Sequence, residues 1–290
     1  MKVAVLDIGT NTSKVLVVEK NNSEHFILIG EKSFPMRLLC GLSQKNPFLS
    51  FRVIEDVLDV IGKLVQFSSI YSPGVTCIVG TEALRRMGNS GELVLRIKKR
   101  FSVDLQILSG DSEAYLVAQG LLTDPAIIQL KSFSAIDIGG GSLEGIKVSN
   151  GLCEERFSLA LGAVVLAERF FNNITNCLSD SEINNLKKEV HSNLQKNATS
   201  VLEPTCTLVG TGGSLVFLRR IISTMNKNRF EDENILEFDA IENVTQMIAA
   251  MDVSARITAF PQLPEDRADI FPAALFVILE IMKFANCKSI

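Results

Sequence analysis

At 290 residues the chain exceeds what one hydrophobic core comfortably supports, so two domains are expected. Hydrophobic residues make up 47% and charged residues 21%, which excludes a disordered chain. No run approaches the roughly 18 uncharged apolar residues of a membrane span, and a net charge of −4 leaves nucleic acid without a general field to bind.

In chain order, the opening Met1-Lys2-Val3-Ala4-Val5-Leu6 is stopped by Asp7, too early for an export signal. Strands are predicted near 3–8, 14–19, 26–31, 75–80 and 103–108. Helices are predicted near 50–67, 90–100 and 112–121, the first from Val53, Val57, Val60, Ile61 and Leu64 at helical spacing. Lys98-Lys99-Arg100 ends the second helix, where cations complement the helix dipole, and reads as a solvated helix end. Beyond residue 124, strands follow near 133–138, 143–149, 152–158 and 206–210. Helices then fall near 162–171, 180–196, 214–223, 239–251 and 272–285. Strands alternating with helices in both halves give α/β layering.

Two segments repeat. Val5-Leu6-Asp7-Ile8-Gly9-Thr10-Asn11 returns as Ala135-Ile136-Asp137-Ile138-Gly139-Gly140-Gly141-Ser142, and Val79-Gly80-Thr81 returns as Val209-Gly210-Thr211, both shifted by 130 residues. Two matches at one shift imply a duplicated domain. Leu122-Thr123-Asp124-Pro125 supplies the turn between the copies, giving domains 1–123 and 124–290 and a cleft between them as the expected ligand site.

The six cysteines, Cys40, Cys77, Cys153, Cys177, Cys206 and Cys287, show no close pairing and read as reduced core residues of a cytoplasmic protein. With two histidines and no Cys-x-x-Cys, a zinc site is not expected, and any metal should be hard and oxygen-bound. Asp7 and Asp137 each end a strand beside a small-residue turn. Gly9-Thr10-Asn11 and Gly139-Gly140-Gly141-Ser142 let backbone N–H groups approach phosphate oxygens, and the two carboxylates can hold Mg²⁺, with Mn²⁺ as the substitute. Read alone, each would be an ordinary tight hairpin. Two symmetric copies, one with three consecutive glycines, favour phosphate binding.

Further segments complete a pattern: Thr81-Glu82-Ala83-Leu84-Arg85 with Asn89, Ser109-Gly110-Asp111-Ser112-Glu113-Ala114, Ser158-Leu159-Ala160-Leu161-Gly162, Gly210-Thr211-Gly212-Gly213-Ser214 and Arg267-Ala268-Asp269-Ile270. With the two Asp-Ile-Gly motifs, the last continuing to Leu143-Glu144, the chain resembles the exopolyphosphatase / guanosine pentaphosphatase family of the actin, sugar kinase and heat-shock chaperone superfamily. The resemblance implies two duplicated actin-like (ribonuclease H-like) domains. It also implies hydrolysis of terminal phosphate from polyphosphate or guanosine pentaphosphate, and a homodimer. By the same resemblance Glu113 is the general base, Arg85 faces phosphate, Glu144 joins Asp7 and Asp137 at the metal, and Gly210-Thr211-Gly212-Gly213 forms a further phosphate loop. Read from the residues alone, Glu113 in the first turn of a helix has capping as its alternative role, and the need of phosphate hydrolysis for a base beside the attacking water favours the catalytic one.

The chain departs from the family pattern at several places. Lys14 stands where histidine or arginine is common, Glu82 where serine is usual, and Ser112 where an acid is common. An Arg-Leu-Gly-x-Gly segment is present only as Arg37-Leu38-Leu39-Cys40-Gly41. The end at Ile290 corresponds to the short, two-domain form of the family. Two other readings stay open: a non-catalytic sensor of polyphosphate or guanosine alarmones, kept alive by Glu82 and the altered first motif, and an ATP-dependent kinase of the same superfold.

Overall fold

The computed structural model describes residues 1–21, 26–38, 47–204 and 207–290. Leu39, Cys40 and Gly41 of the altered family segment, together with Cys206, lie outside the described residues; of the other cysteines Cys287 is buried as expected, whereas Cys77 and Cys177 are exposed and not core residues. The chain divides into two compact units, Met1–Ser109 and Gly110–Ile290.

The first unit is a five-stranded sheet with helices. Strands β1 (Lys2–Ile8), β2 (Thr12–Lys20) and β3 (Phe26–Pro35) form an antiparallel meander; β4 (Val75–Gly80) and β5 (Leu105–Ile107) then run parallel to β1, giving the order β3-β2-β1-β4-β5. Alternation along β1 buries Ala4, Leu6 and Ile8 completely. Helix α1 (Phe51–Ser69) covers that face with Ile54, Val57, Leu58, Ile61 and Leu64. Ile54 and Leu58 complete the stripe, while the expected Val53 and Val60 flank it half-buried. Ser50 caps the helix by accepting from Val53 N at 3.3 Å. A five-residue helix α2 (Glu82–Arg86) follows β4, and α3 (Ser90–Phe101) ends in its basic cluster, where Lys98 meets Asp104 at 2.8 Å and Arg100 meets Asp59 at 3.0 Å. Those pairs bear out the reading of a helix end.

The second unit opens with α4 (Gly110–Leu121), which packs on β7 (Leu143–Ser149) and β8 (Leu152–Leu159). The division therefore falls one helix earlier than the expected boundary after residue 123, because α4 takes its neighbours from the strands that follow it. With β6 (Ser132–Ile138) and β9 (Leu208–Thr211) the sheet order is β8-β7-β6-β9, matching the first four positions of the other sheet. The β7–β8 turn is Asn150-Gly151, both at positive φ (52° and 75°), the backbone that a two-residue hairpin with native twist needs.

Helices α5 (Ala163–Phe170), α6 (Asp180–Asn197), α7 (Gly213–Met225), α8 (Phe238–Ala249), α9 (Val253–Ala259) and α10 (Phe271–Phe284) complete the unit. Ser179 and Glu182 close a capping box at α6. Helix α10, with Pro272 in its first turn, is apolar almost all round and packs on α5, α6 and α8.

The duplication reaches individual bonds. Gly9 N donates to Thr12 O at 3.2 Å and Gly139 N to Ser142 O at 3.0 Å; both second strands carry an irregularity at equivalent places, Val17/Val18 and Lys147/Val148. The Val-Gly-Thr repeat does not follow the same register. Asp7 lies opposite Val79 on β4, but Asp137 lies opposite Thr211 on β9, two residues further along than the 130-residue shift requires.

Candidate active site

In both units the singled-out residues gather at the carboxyl ends of the parallel strands, where open α/β sheets bind ligands. In the first unit, Asp7 near the end of β1 lies across from Lys14 on β2, with Lys14 Nζ 3.6 Å from Asp7 Oδ2. Burial raises the Asp7 carboxyl above its ordinary value, and Lys14 opposes that rise. Its other oxygen, Oδ1, is buried without a hydrogen-bond partner, as are Thr10 Oγ1 and Ser13 Oγ. Ser13 pairs with Ile8 and so lies on the core face of the sheet, which leaves the oxygens of Asp7 and Thr10 as the acceptors beside the turn that a ligand would meet. Gly9 is required there because a side chain would stand 2.8 Å from the Thr12 carbonyl. Asn11 accepts from Arg37 Nε at 3.2 Å, which ties the turn to the segment after β3.

Arg85 sits on α2, just past the end of β4. Its Nε donates to Glu82 Oε2 at 2.9 Å, its Nη2 lies 2.9 Å from the same oxygen, and Nη1 donates to the Leu108 carbonyl at 2.9 Å beyond β5. Asn89 bridges to Leu49, its side-chain N–H donating to the Leu49 carbonyl at 2.9 Å and its side-chain carbonyl accepting from Leu49 N at 2.8 Å, and so closes a loop.

In the second unit, three carboxyl groups come together. Glu144 on β7 lies across from Asp137 on β6 and is 2% exposed. Burial first, then the charge of Glu113 in the first turn of α4, push its pKa up to about 8; the hydroxyls of Ser158 and Ser142 pull the other way, and Asp137 adds a smaller rise. Ser158 Oγ donates to Glu144 Oε1 at 2.7 Å. Ser158 has no role assigned by the sequence reading, although it opens the Ser-Leu-Ala-Leu-Gly motif.

The glycine turn between Asp137 and Glu144 is fixed from behind by α5. Ala163 N donates to Gly139 O at 3.0 Å, Val164 N to Gly140 O at 2.9 Å and Gly162 N to Gly141 O at 3.3 Å. A peptide's N–H points opposite its carbonyl, so the N–H groups of Gly140, Gly141 and Ser142 are aimed away from α5. Successive amides aimed one way form an anion-binding concavity. Gly162 also has to be glycine, since a side chain would collide with the backbone of Gly140 and Gly141.

The Gly210–Gly213 segment divides by role. Gly210 lies within β9 and leaves room for Leu215 and Ile290, as Gly80 does for Leu84, and Thr211 pairs with Asp137 along the strands. Gly212, at φ 92°, faces the Asp137 carboxylate so closely that a side chain would strike Oδ1. Gly213 opens α7, and a side chain there would lie 3.8 Å from Arg267 Nη1. Arg267, part of a quoted motif but without an assigned role, thus stands beside the helix start.

Two units whose sheets share a strand order and a glycine turn after the first strand define an actin-like α/β protein. The Aquifex aeolicus member of the Ppx/GppA protein family is similar, with a TM-score of 0.81 at 20% identity, covering 100% of this chain and 92% of that one. An exopolyphosphatase from Cytophaga hutchinsonii is similar with a TM-score of 0.84 at 20% identity, again over 100% and 92%. The sequence pattern of the Ppx/GppA phosphatase family matches residues 16–290, so the chain belongs to that family. A curated relative, the bifunctional 3-dehydroquinate synthase/phosphatase of Fusobacterium nucleatum, is 24% identical over 97% of this chain and 43% of its own length. The chain therefore spans less than half of that relative. Among the described residues no helix is long and apolar enough to cross a membrane.

Proposed function

We propose that the chain is a phosphohydrolase that releases terminal phosphate from inorganic polyphosphate, guanosine pentaphosphate or both. The observation that carries this reading is the gathering of Glu113, Asp137 and Glu144 beside a turn whose amides are aimed for an anion. Acids beside an anion site suit a substrate that arrives with a divalent cation. Membership of a phosphatase family supports the same activity.

The donor set fits Mg²⁺ or Mn²⁺. Its atoms are oxygens, Asp7 Oδ1 is buried without a hydrogen-bond partner, and Glu144 is kept protonated first by burial and then by the neighbouring acids, whose charge a cation would offset. Mg²⁺ and Mn²⁺ keep several waters and need only one or two protein carboxylates beside substrate oxygens. In the second unit Asp137 and Glu144 are the residues that would hold the ion, and in the first unit Asp7 is the candidate ligand. Bound there, the ion would neutralise charge on the phosphate oxygens.

Glu113 acts as general base. It takes a proton from water as the water oxygen bonds to the terminal phosphorus, and the anhydride P–O bond breaks to release phosphate and the shortened substrate. The amides of Gly140, Gly141 and Ser142 hold oxygens that do not react, Gly212 and Gly213 extend that cradle at the start of α7, and Arg85 offsets phosphoryl charge.

The test is phosphate release from polyphosphate and from guanosine pentaphosphate, run beside an ATP phosphotransfer assay, with and without EDTA. Release that stops in EDTA and returns with Mg²⁺ or Mn²⁺ is the expected result. Tight binding without release would make the chain a sensor, transfer from ATP would make it a kinase, and full turnover in excess EDTA would remove the cation from the mechanism.

A further inference from the structure

We infer that Glu82 is a built-in competitor for Arg85, a carboxylate of the chain itself that occupies the guanidinium edge a substrate phosphate would need, and thereby sets phosphate affinity. The inference rests on the proposed assignment of Arg85 to phosphate. It concerns a regulatory contact that the reaction itself does not require.

Residues three apart on a helix share a face, so Glu82 and Arg85 meet by the geometry of α2 alone. Glu82 Oε2 accepts a hydrogen bond from Nε at 2.9 Å and lies 2.9 Å from Nη2, an ion-pair contact without hydrogen-bond geometry, so the carboxylate stands over this edge while bonding one of its two donors. That edge of the guanidinium is the fork that grips a carboxylate or a phosphate in two-pronged fashion, and one edge cannot serve two anions equally. The opposite nitrogen, Nη1, is spent on the Leu108 carbonyl at 2.9 Å, so Arg85 is held in place even if Glu82 lets go. Anchoring of the guanidinium and competition for it are thus separable.

The pair is partly sheltered, with 17% of the Arg85 side chain and 14% of the Glu82 side chain exposed, so solvent and salt screen it less than a surface pair. Its position matters as much as its geometry. Parallel pairing of β1 with β4 sets Asp7 beside Val79, which brings the orphaned oxygens of Asp7 and Thr10 to the same sheet edge as Thr81 and α2. Glu82 makes no helix cap, since the cap position is Thr81, without a side-chain cap bond. An arriving phosphate therefore meets a neutral ion pair instead of a bare cation. A terminal phosphate, which carries more charge than an internal one, displaces Glu82 more readily.

The experiment compares wild type, Glu82→Gln, Glu82→Ser, Arg85→Ala and both double variants. Steady-state release from tripolyphosphate is read alongside direct tripolyphosphate binding by calorimetry, with thermal melts to confirm folding. Each Glu82 substitution should lower KM and Kd by about threefold to tenfold, the worth of one partly sheltered ion pair, with kcat held within about twofold. In the Arg85→Ala background the same substitutions should change neither constant. Unchanged or weakened binding in folded Glu82→Gln and Glu82→Ser would overturn the inference, because Glu82 would then position Arg85 instead of competing for it. Should no protein in the series release phosphate, while Glu82→Gln still tightens tripolyphosphate binding only when Arg85 is present, the competition stands and the hydrolase reading falls.

Discussion

Asp7 and Asp137 occupy the same place in two copies of one design, yet the residue facing each across the hairpin is a base in one copy and an acid in the other. In the first unit it is Lys14, whose ammonium lies 3.6 Å from the carboxylate. In the second it is Glu144, a buried acid that keeps its proton up to about pH 8. The backbone of the turn is preserved in detail, down to the Gly9 to Thr12 and Gly139 to Ser142 hydrogen bonds. Duplication has thus kept the scaffold and let the chemistry diverge. The first unit carries its own cation, while the second collects carboxyl groups around Asp137 and lacks a built-in counterpart to Lys14 at that strand position.

The contrast breaks most visibly if the second unit's acids prove idle. Glu113→Gln keeps shape and removes the base, so phosphate release should fall by about 10²- to 10⁴-fold with affinity little changed. An unchanged rate beside a lowered melting temperature would sink the catalytic assignment. Next in size is Gly212→Ala, where a positive φ and contact with Asp137 combine; a stability loss of about 2–4 kcal/mol in urea unfolding is expected. Gly9→Ala, at an ordinary φ, should cost less.

Protonation sharpens the comparison further. Glu144 titrates near 4.5 in the unfolded chain and at about 8 in the native one, so between those values the unfolded chain holds fewer protons and stability falls as pH rises. Glu144→Gln, free of divalent cation, should therefore raise stability by about 1–3 kcal/mol at pH 8.5 and by much less at pH 4.5, as read from melts at both values. A gain equal at both pH values would show that the Glu144 charge is not the source. The smallest effect belongs to Lys14→Met. Lys14 is half-exposed, so removing it should destabilise the chain at pH 7 by less than about 1 kcal/mol, with the loss shrinking once Asp7 is protonated at low pH.

Much of this organisation was legible in the sequence. Long periodic segments such as α1 and α6 carried their own stripes and caps, and the Asp-Ile-Gly repeat pointed to the duplication before any contact was known. Helices α2 and α9 were missed because five and seven residues give too few turns for periodicity to register. The Val-Gly-Thr match suggested a register that β9 does not keep: a shift of two residues preserves which face each side chain takes, so alternation cannot detect it. Lys14 and Glu82 were visible as departures from a family pattern, but their partners were not. Asp7 is seven residues from Lys14 only by way of a hairpin, and the Leu108 carbonyl that steadies Arg85 has no signature in sequence at all.

The hydrogen bonds that α5 makes to the glycine turn bear on how fast an anion could be captured. Glycine-rich loops are usually free to flip their peptide planes, and a ligand then has to wait for, or impose, the right arrangement. Here Gly139, Gly140 and Gly141 each have a carbonyl held by the first residues of a helix. The turn is set when the second unit folds, so its ordering cost falls on folding and not on binding. An incoming phosphate meets amides already facing it, and its arrival is governed by diffusion and charge instead of by rearrangement of the loop.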